Sequence, residues 1–425
     1  MSTEIIVIGA GVSGLYASLL LSRQGKKVTI LEARDRAGGR IHTINDPRFA
    51  LPVETSAEFV HGDLELTKKL LREAGVEYYA IKGNVWRSFD SEFEQQEDFI
   101  EDQDELIKQL KGLEQDMSVK DFLDLYFPGE KYIELRESLT GFVQGYDAAD
   151  VRNASSFALL EELLGEEGAQ LRMKGGYVKL VDYLTNECKK NGCAIELSCI
   201  VSSINYRPGE VTITTADKKT RTAPKAIITL PIGVLQTPAG DSGYVAIEAL
   251  PSITTEAIHA LGNTGVIKVI LQFEKPFWEA QVKKMGFLFS DKAIPTWWTQ
   301  LPEENGMITG WIAGPDALHI KDLSNEMILQ EAISSLAAMF GMEHDTLLAQ
   351  LKGSHVYNWT VDPFTKGAYG YERVTSKHAK RVLSEPIDNT LYFAGEALHE
   401  GPERGTVEAA LLNAEKVVDR LTQSA

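Results

Sequence analysis

Lys268 is the one charge in the apolar run Val266-Ile267-Lys268-Val269-Ile270-Leu271. A free ammonium is expensive to bury. Either the lysine sits on an edge strand and snorkels to water, or it points into a site where its charge is used. Trp359 and Tyr369 stand ten residues apart, with Asp362-Pro363 and Gly367 between them. A turn there would let two aromatic rings face one cavity. Aromatic faces suit a neutral or cationic amine and exclude water. Trp359 read alone is equally a core residue. His61 could hydrogen-bond an amine or fix a loop.

A second group of residues points to a phosphate-bearing cofactor. The β-branched run Ile5-Ile6-Val7-Ile8 leads into Gly9-Ala10-Gly11-Val12-Ser13-Gly14 and then an apolar helical pattern from Leu15. Lys27–Leu31 reads as a second strand and ends at Glu32. Strand, glycine turn, helix and acid-terminated strand make a dinucleotide-binding βαβ unit. Gly9 permits the tight turn, Gly11 lets backbone approach a pyrophosphate, and Gly14 lets helix and strand pack closely. Ser13 opens the helix beside them. The helix N-terminus offers N–H groups and a positive dipole end. Glu32 is placed to accept hydrogen bonds from ribose hydroxyls and would repel a 2′-phosphate. Ala33 and Arg34 follow, and Gly38-Gly39-Arg40 can bring further N–H groups and a guanidinium to the same pyrophosphate. The unit alone does not separate NAD from FAD.

These residues must be positioned by a chain of mixed elements. Helices are expected near Leu64–Ala74, through much of Phe122–Leu164, and at Val178–Asn186, Leu323–Met339, Met342–Leu351 and Thr406–Thr422. Strands are expected at Ala194–Leu197, Val201–Tyr206, Val211–Thr215, Ala226–Leu230, Val266–Phe273, Trp297–Trp298, Met307–Ala313, Val356–Trp359 and Leu391–Phe393. Residues 91–116 are strongly acidic, and Phe99, Leu106, Leu110 and Leu113 recur at helical spacing. That spacing predicts an amphipathic helix with a solvated acidic face. The closing strand followed by a helix can return the chain to the first βαβ sheet. The predicted fold is α/β, an α+β two-domain chain: a Rossmann-like domain from 1–79, 168–245 and 388–425, with a mixed substrate domain from 80–167 and 246–387.

A length of 425 residues fits two such domains. The net charge of −18 argues against nucleic-acid binding and tilts weakly towards cationic ligands. Cys188, Cys193 and Cys199 have neither zinc-site nor disulfide-framework spacing. No metal site is expected. No apolar run reaches the roughly 18 residues of a membrane span, and a strand begins almost at once. A cytoplasmic protein, neither secreted nor membrane-bound, is the expectation. Oligomeric state is not readable.

From end to end the chain resembles the flavin-containing amine oxidases, the group of monoamine oxidases, polyamine oxidases and lysine-specific histone demethylases. The resemblance is carried by Gly9–Glu32, Gly38-Gly39-Arg40, Glu54–Gly62, Met173–Tyr177, Lys268, Trp359–Tyr369, Phe393-Ala394-Gly395-Glu396 and Gly405-Thr406-Val407-Glu408. It implies FAD, with Gly395 and Glu396 near its ribityl and pyrophosphate region and Val201 near adenine. Thr406 and Val407 would open the last helix towards flavin N1–C2=O. Lys268 would hold a water near flavin N5, and Tyr369 and Trp359 would wall the site. Ala368 stands where members with covalent flavin carry cysteine, so non-covalent FAD is implied. Phe59-Val60-His61-Gly62 is similar to polyamine oxidases, and Thr406 replaces the second cage tyrosine of monoamine oxidases. The demethylases' helical hairpin and N-terminal module find no room here. The implied reaction is hydride transfer from an amine to flavin N5, imine hydrolysis to an aldehyde, and reduction of O2 to H2O2. A polyamine or diamine is the favoured substrate, with His61, Tyr369 and Thr406 contacting it. The alternatives are an L-amino-acid oxidase, which needs an arginine for the substrate carboxylate, or a protoporphyrinogen-oxidase- or desaturase-like flavoprotein.

Overall fold

The computed structural model describes residues 4–96, 100, 102–165 and 168–423. Its first layer is a five-stranded parallel sheet in the order Ala194–Glu196, Val28–Leu31, Ile5–Ile8, Lys225–Ile228, Leu391–Phe393. Ile5–Ile8 and Val28–Leu31 are buried at every position, as parallel strands covered on both faces must be. Helix Val12–Arg23 lies on one face with Val178–Lys190 and Val407–Gln423, joined through Leu15, Leu19, Leu180, Leu184, Leu411 and Val418. The other face packs on the four-stranded layer that contains Val201–Arg207 and Glu210–Thr215. Strands from distant parts of the chain thus converge on the glycine turn.

The second large sheet has seven strands, in the order Leu351–Asn358, Gly265–Phe273, Met307–Ala313, Thr296–Thr299, Met285–Ser290, Asn84–Phe89, Glu92–Gln96. Helix Asn325–Phe340 covers one face through Ile328, Ile333, Leu336 and Phe340. The Ser324 hydroxyl accepts the Met327 N–H at its start, and Gly341 ends it at a φ of 60°. Helices 103–111, 119–126, 133–145 and 156–165 form a separate apolar cluster around Phe122, Phe127 and Leu139.

Two expectations are corrected, and the two readings of Lys268 are decided. Glu92–Gln96 is an edge strand and not the start of an acidic helix. Between exposed Glu92 and Glu94, Phe93 turns inward onto Phe340, 4.9 Å between ring centres. The helix is confined to Gln103–Lys111, while Glu97, Asp98, Phe99 and Glu101 of the expected pattern lie outside the described residues. The expected 342–351 helix is only His344–Leu348, because the strand starts at Leu351 and ends at Asn358, one residue before Trp359. Lys268 is on no edge: Gly265–Phe273 pairs on both sides, with Trp311 and Tyr357 opposite Lys268.

Candidate active site

A cavity of about 970 Å³ runs from the Gly9–Gly14 turn to a chamber lined by aromatic rings. Its size is at the upper end of the roughly 300–1,000 Å³ typical of ligand pockets. At the turn end it is lined by Gly9, Gly11, Ser13, Glu32, Ala33, Arg34, Gly38, Gly39, Arg40 and Val201, and further along by Gly395, Glu396, Thr406 and Val407. Gly14 lies beneath this surface, packed on the Gly9 carbonyl.

The fit to FAD rests on what these residues leave open. A Cβ on Gly11 or on Gly395 would meet nothing within 4 Å. The Ser13 hydroxyl is buried without a protein partner. Glu32 is buried and oriented, Oε2 accepting the Ala10 N–H at 2.7 Å and Oε1 the Arg34 N–H at 2.9 Å. Each carboxylate oxygen retains a lone pair. An open glycine cradle, an unclaimed hydroxyl at a helix start and a fixed carboxylate together suit a dinucleotide.

Other expected contacts are committed elsewhere. Arg34 grips Asp362 with both terminal nitrogens, at 3.1 and 2.5 Å, and lies over Trp359 and Phe364. Arg40 donates to the Ala368 carbonyl at 2.6 Å and pairs with Glu396 at 2.8 Å. Thr406 caps the last helix: its hydroxyl accepts the Ala409 N–H and donates to the Glu403 carbonyl, which also takes the Thr406 N–H. Of the two N–H groups expected to face the cofactor, that of Thr406 is therefore used within the chain.

The chamber is built around Lys268, His61 and Tyr369. Lys268 is fully buried, and its ammonium donates to Glu58 Oε2 at 2.7 Å and to the Ser56 carbonyl at 3.1 Å. Burial opposes ionisation of Glu58, but the Lys268 and Arg172 charges outweigh it and hold the carboxyl well below its ordinary range. His61 Nδ1 lies 3.1 Å from the Tyr146 hydroxyl, and enclosure lowers its pKa to about 4, so the ring is neutral at physiological pH. The Tyr369 hydroxyl donates to the Tyr146 carbonyl. Burial, then the Asp147, Glu162 and Glu396 carboxylates, push its pKa up, so it remains a phenol.

Trp359 does not line this cavity. Its ring is buried against Tyr357, and its N–H donates to the Thr55 carbonyl at 2.7 Å. It anchors the segment that presents Ser56 and Glu58 to Lys268. The expected Trp359–Tyr369 pair of walls is therefore corrected. Besides Tyr369, the rings lining the cavity include Phe59, Phe142, Tyr146, Phe287, Trp298 and Trp311. A usable signal lay in Trp297-Trp298: adjacent strand residues face opposite ways, and Trp297 enters the core while Trp298 lines the chamber.

Residues 12–422 match the model of the flavin containing amine oxidoreductase family, and the chain belongs to that family. It is 28% identical to "Probable polyamine oxidase 4" of Arabidopsis thaliana, over 96% of this chain and 85% of the relative. It is 25% identical to mouse "Lysine-specific histone demethylase 1B" over 93% of this chain, but spans only 50% of that relative. Among solved structures, wild-type putrescine oxidase bound to putrescine superposes with a TM-score of 0.81 at 18% identity, over 100% of this chain and 99% of the other. Cyclohexylamine oxidase from Brevibacterium oxydans gives 0.80 at 19%, with the same coverage. These likenesses show a shared α/β two-domain FAD-binding fold. The chain is a flavin-dependent amine oxidase with FAD as its cofactor. Among the described residues no helix is long and apolar enough to cross a membrane.

Proposed function

We propose that this enzyme oxidises the C–N bond of an amine without a carboxylate, a di- or polyamine by preference, to an imine that hydrolyses to an aldehyde. The observation that carries this reading is the pairing of the cavity's arginines. Arg34, Arg40, Arg87 and Arg404 line it, and each is ion-paired, with Asp362, Glu396, Glu137 and Glu161. An amino-acid substrate needs a guanidinium for its carboxylate, and these are already committed. Asp147, Glu162 and Asp316 line the same cavity and favour a cationic substrate.

Bound FAD supplies the hydride acceptor at N5 and, once reduced, the electrons that turn O2 into H2O2. The chain binds, orients and dries the amine. Phe59, Trp298 and Tyr369 present apolar faces, and neutral His61 offers a hydrogen bond without repelling a cation. Lys268 places a positive charge on the chamber wall, where it favours negative charge arising as oxygen is reduced. In this reading, 1–79, 168–245 and 388–425 hold FAD, and 80–167 with 246–387 hold the amine. The enzyme acts in the cytoplasm.

Two results are expected. Acid or heat releases all the FAD, because Ala368 offers no sulfur for a covalent link; flavin retained by precipitated protein counts against this. In a peroxide-coupled assay, kcat/KM is higher for putrescine and spermidine than for phenylethylamine or a neutral L-amino acid. The advantage shrinks as salt shortens the Debye length to about 10 Å near 0.1 M. Preference for the amino acid defeats the amine reading, and preference for phenylethylamine only its polyamine refinement.

A further inference from the structure

We propose that Glu58 is a positioning residue for Lys268: it fixes the ammonium on the chamber wall and keeps it an ammonium. The inference rests on the amine-oxidase reading above, and adds what governs that reading's one buried lysine.

The geometry holds Lys268 from three sides. Glu58 Oε2 lies 2.7 Å from Nζ, the Ser56 carbonyl 3.1 Å, and the centre of the Trp298 ring 5.2 Å. An ammonium has three donors, and two are fixed by the 56–58 segment. Glu58 is held in turn through its other oxygen. Oε1 accepts from Arg172 at 2.8 Å, from the Trp298 indole at 3.2 Å and from Gln300 at 3.4 Å. A carboxylate tied at both oxygens has no freedom to swing towards a substrate amine. It acts through Lys268.

The charges around the lysine give the pair a chemical consequence. Arg172 is a second buried cation, on the strand paired with Phe59–Val60. Glu54 also faces the cluster, but burial raises its pKa to about 7, so it is a weak counter-charge near neutrality. Tyr357, opposite Lys268 on the neighbouring strand, stays a phenol because burial raises its pKa. Glu58 is thus the committed anion between two cations. Without it, arginine keeps its proton and lysine is the group that yields. A buried lysine's pKa can fall by about 3–5 units.

The test uses the FAD-loaded enzyme, photoreduced and mixed with O2, so that no amine is needed. Reoxidation rate and the midpoint potential of bound FAD are followed across pH. Wild type is expected to give a reoxidation rate independent of pH and a midpoint potential that falls smoothly with pH, as the proton uptake of flavin reduction requires. Glu58→Gln is expected to show an inflection between about pH 6 and 8 in both, with reoxidation about tenfold slower above it. Glu58→Asp, which keeps the charge, is expected to restore the wild-type profiles. In a Lys268→Met background, Glu58→Gln is expected to give no such inflection in either quantity.

Glu58→Gln profiles that match wild type, or an inflection that persists in the Lys268→Met, Glu58→Gln double variant, overturn the inference alone. A Lys268→Met enzyme that reoxidises at the wild-type rate overturns it together with the lysine's proposed role. One arm needs no Glu58 variant. A wild-type inflection that vanishes in Lys268→Met would show that the lysine loses its proton with Glu58 present, and would overturn the proposal.

Discussion

Gly14→Ala is expected to yield a colourless protein that unfolds well below the wild-type temperature. The added Cβ would lie 2.0 Å from the Gly9 carbonyl oxygen and 3.0 Å from the Thr229 hydroxyl. Neither neighbour is a flexible side-chain tip. The Gly9 oxygen belongs to the tight turn, and the Thr229 hydroxyl donates to the Ile8 carbonyl at 2.8 Å, at the end of the central parallel strand. Relief requires the helix to move off the sheet, so the cost should reach or exceed the ~1–3 kcal/mol usual for overpacking. Gly11→Ala separates cofactor loss from fold loss. Its Cβ would meet nothing within 4 Å, and it points from a residue that lines the cavity. The Gly11→Ala apoprotein should therefore melt like wild-type apoprotein, yet bind FAD more weakly. Melting curves with and without added FAD distinguish the two. A yellow Gly14→Ala protein of wild-type stability would show that the turn does not need this glycine.

That pair of glycines was legible in the sequence because the whole argument for them is local. Strand, turn, helix and acid fall within Ile5–Glu32, and the tightest clash at Gly14, with the Gly9 carbonyl, lies within that segment. The chamber is different. Lys268 stood out as an anomaly, but Glu58 is 210 positions away and sits in no pattern. Only the convergence of segments 55–58, 171–173, 265–273 and 296–299 brings its partners together. Trp359 was read through its spacing to Tyr369, yet the Thr55 carbonyl claims its indole. The charges of the 92–96 segment suggest a solvated helix, whereas Phe93 turns inward between exposed Glu92 and Glu94, as a strand places it. Charge composition hid periodicity there, and long-range pairing hid Glu58.

Lys268→Met is expected to destabilise the enzyme strongly, and the loss should shrink on acidification. Methionine matches the lysine stem in length, so little volume is lost on the fully buried strand. What is lost is the nearest cation to a buried carboxylate. Breaking a buried ion pair from one side costs about 3–5 kcal/mol, mostly the penalty on the charge left behind. Glu58 would keep Arg172, Trp298 and Gln300 on Oε1, but Oε2 would face a thioether. The sign with pH follows from the wild-type carboxyl, whose folded-state pKa is depressed to about 2. Its stabilisation is complete above the unfolded-state value of about 4.3 and is lost as pH falls towards the folded-state value. In Lys268→Met the same carboxyl should take up a proton at higher pH and shed its charge penalty. Wild type thus weakens below about pH 4 while the variant gains relief, and the gap narrows. Adding Glu58→Gln to Lys268→Met removes the stranded charge and should recover part of the loss at neutral pH. Thermal melts of the FAD-loaded proteins at pH 7 and pH 4 provide the measurement. A gap that widens in acid, or a double variant less stable than Lys268→Met at pH 7, would mean that the stranded Glu58 charge is not what destabilises the single variant.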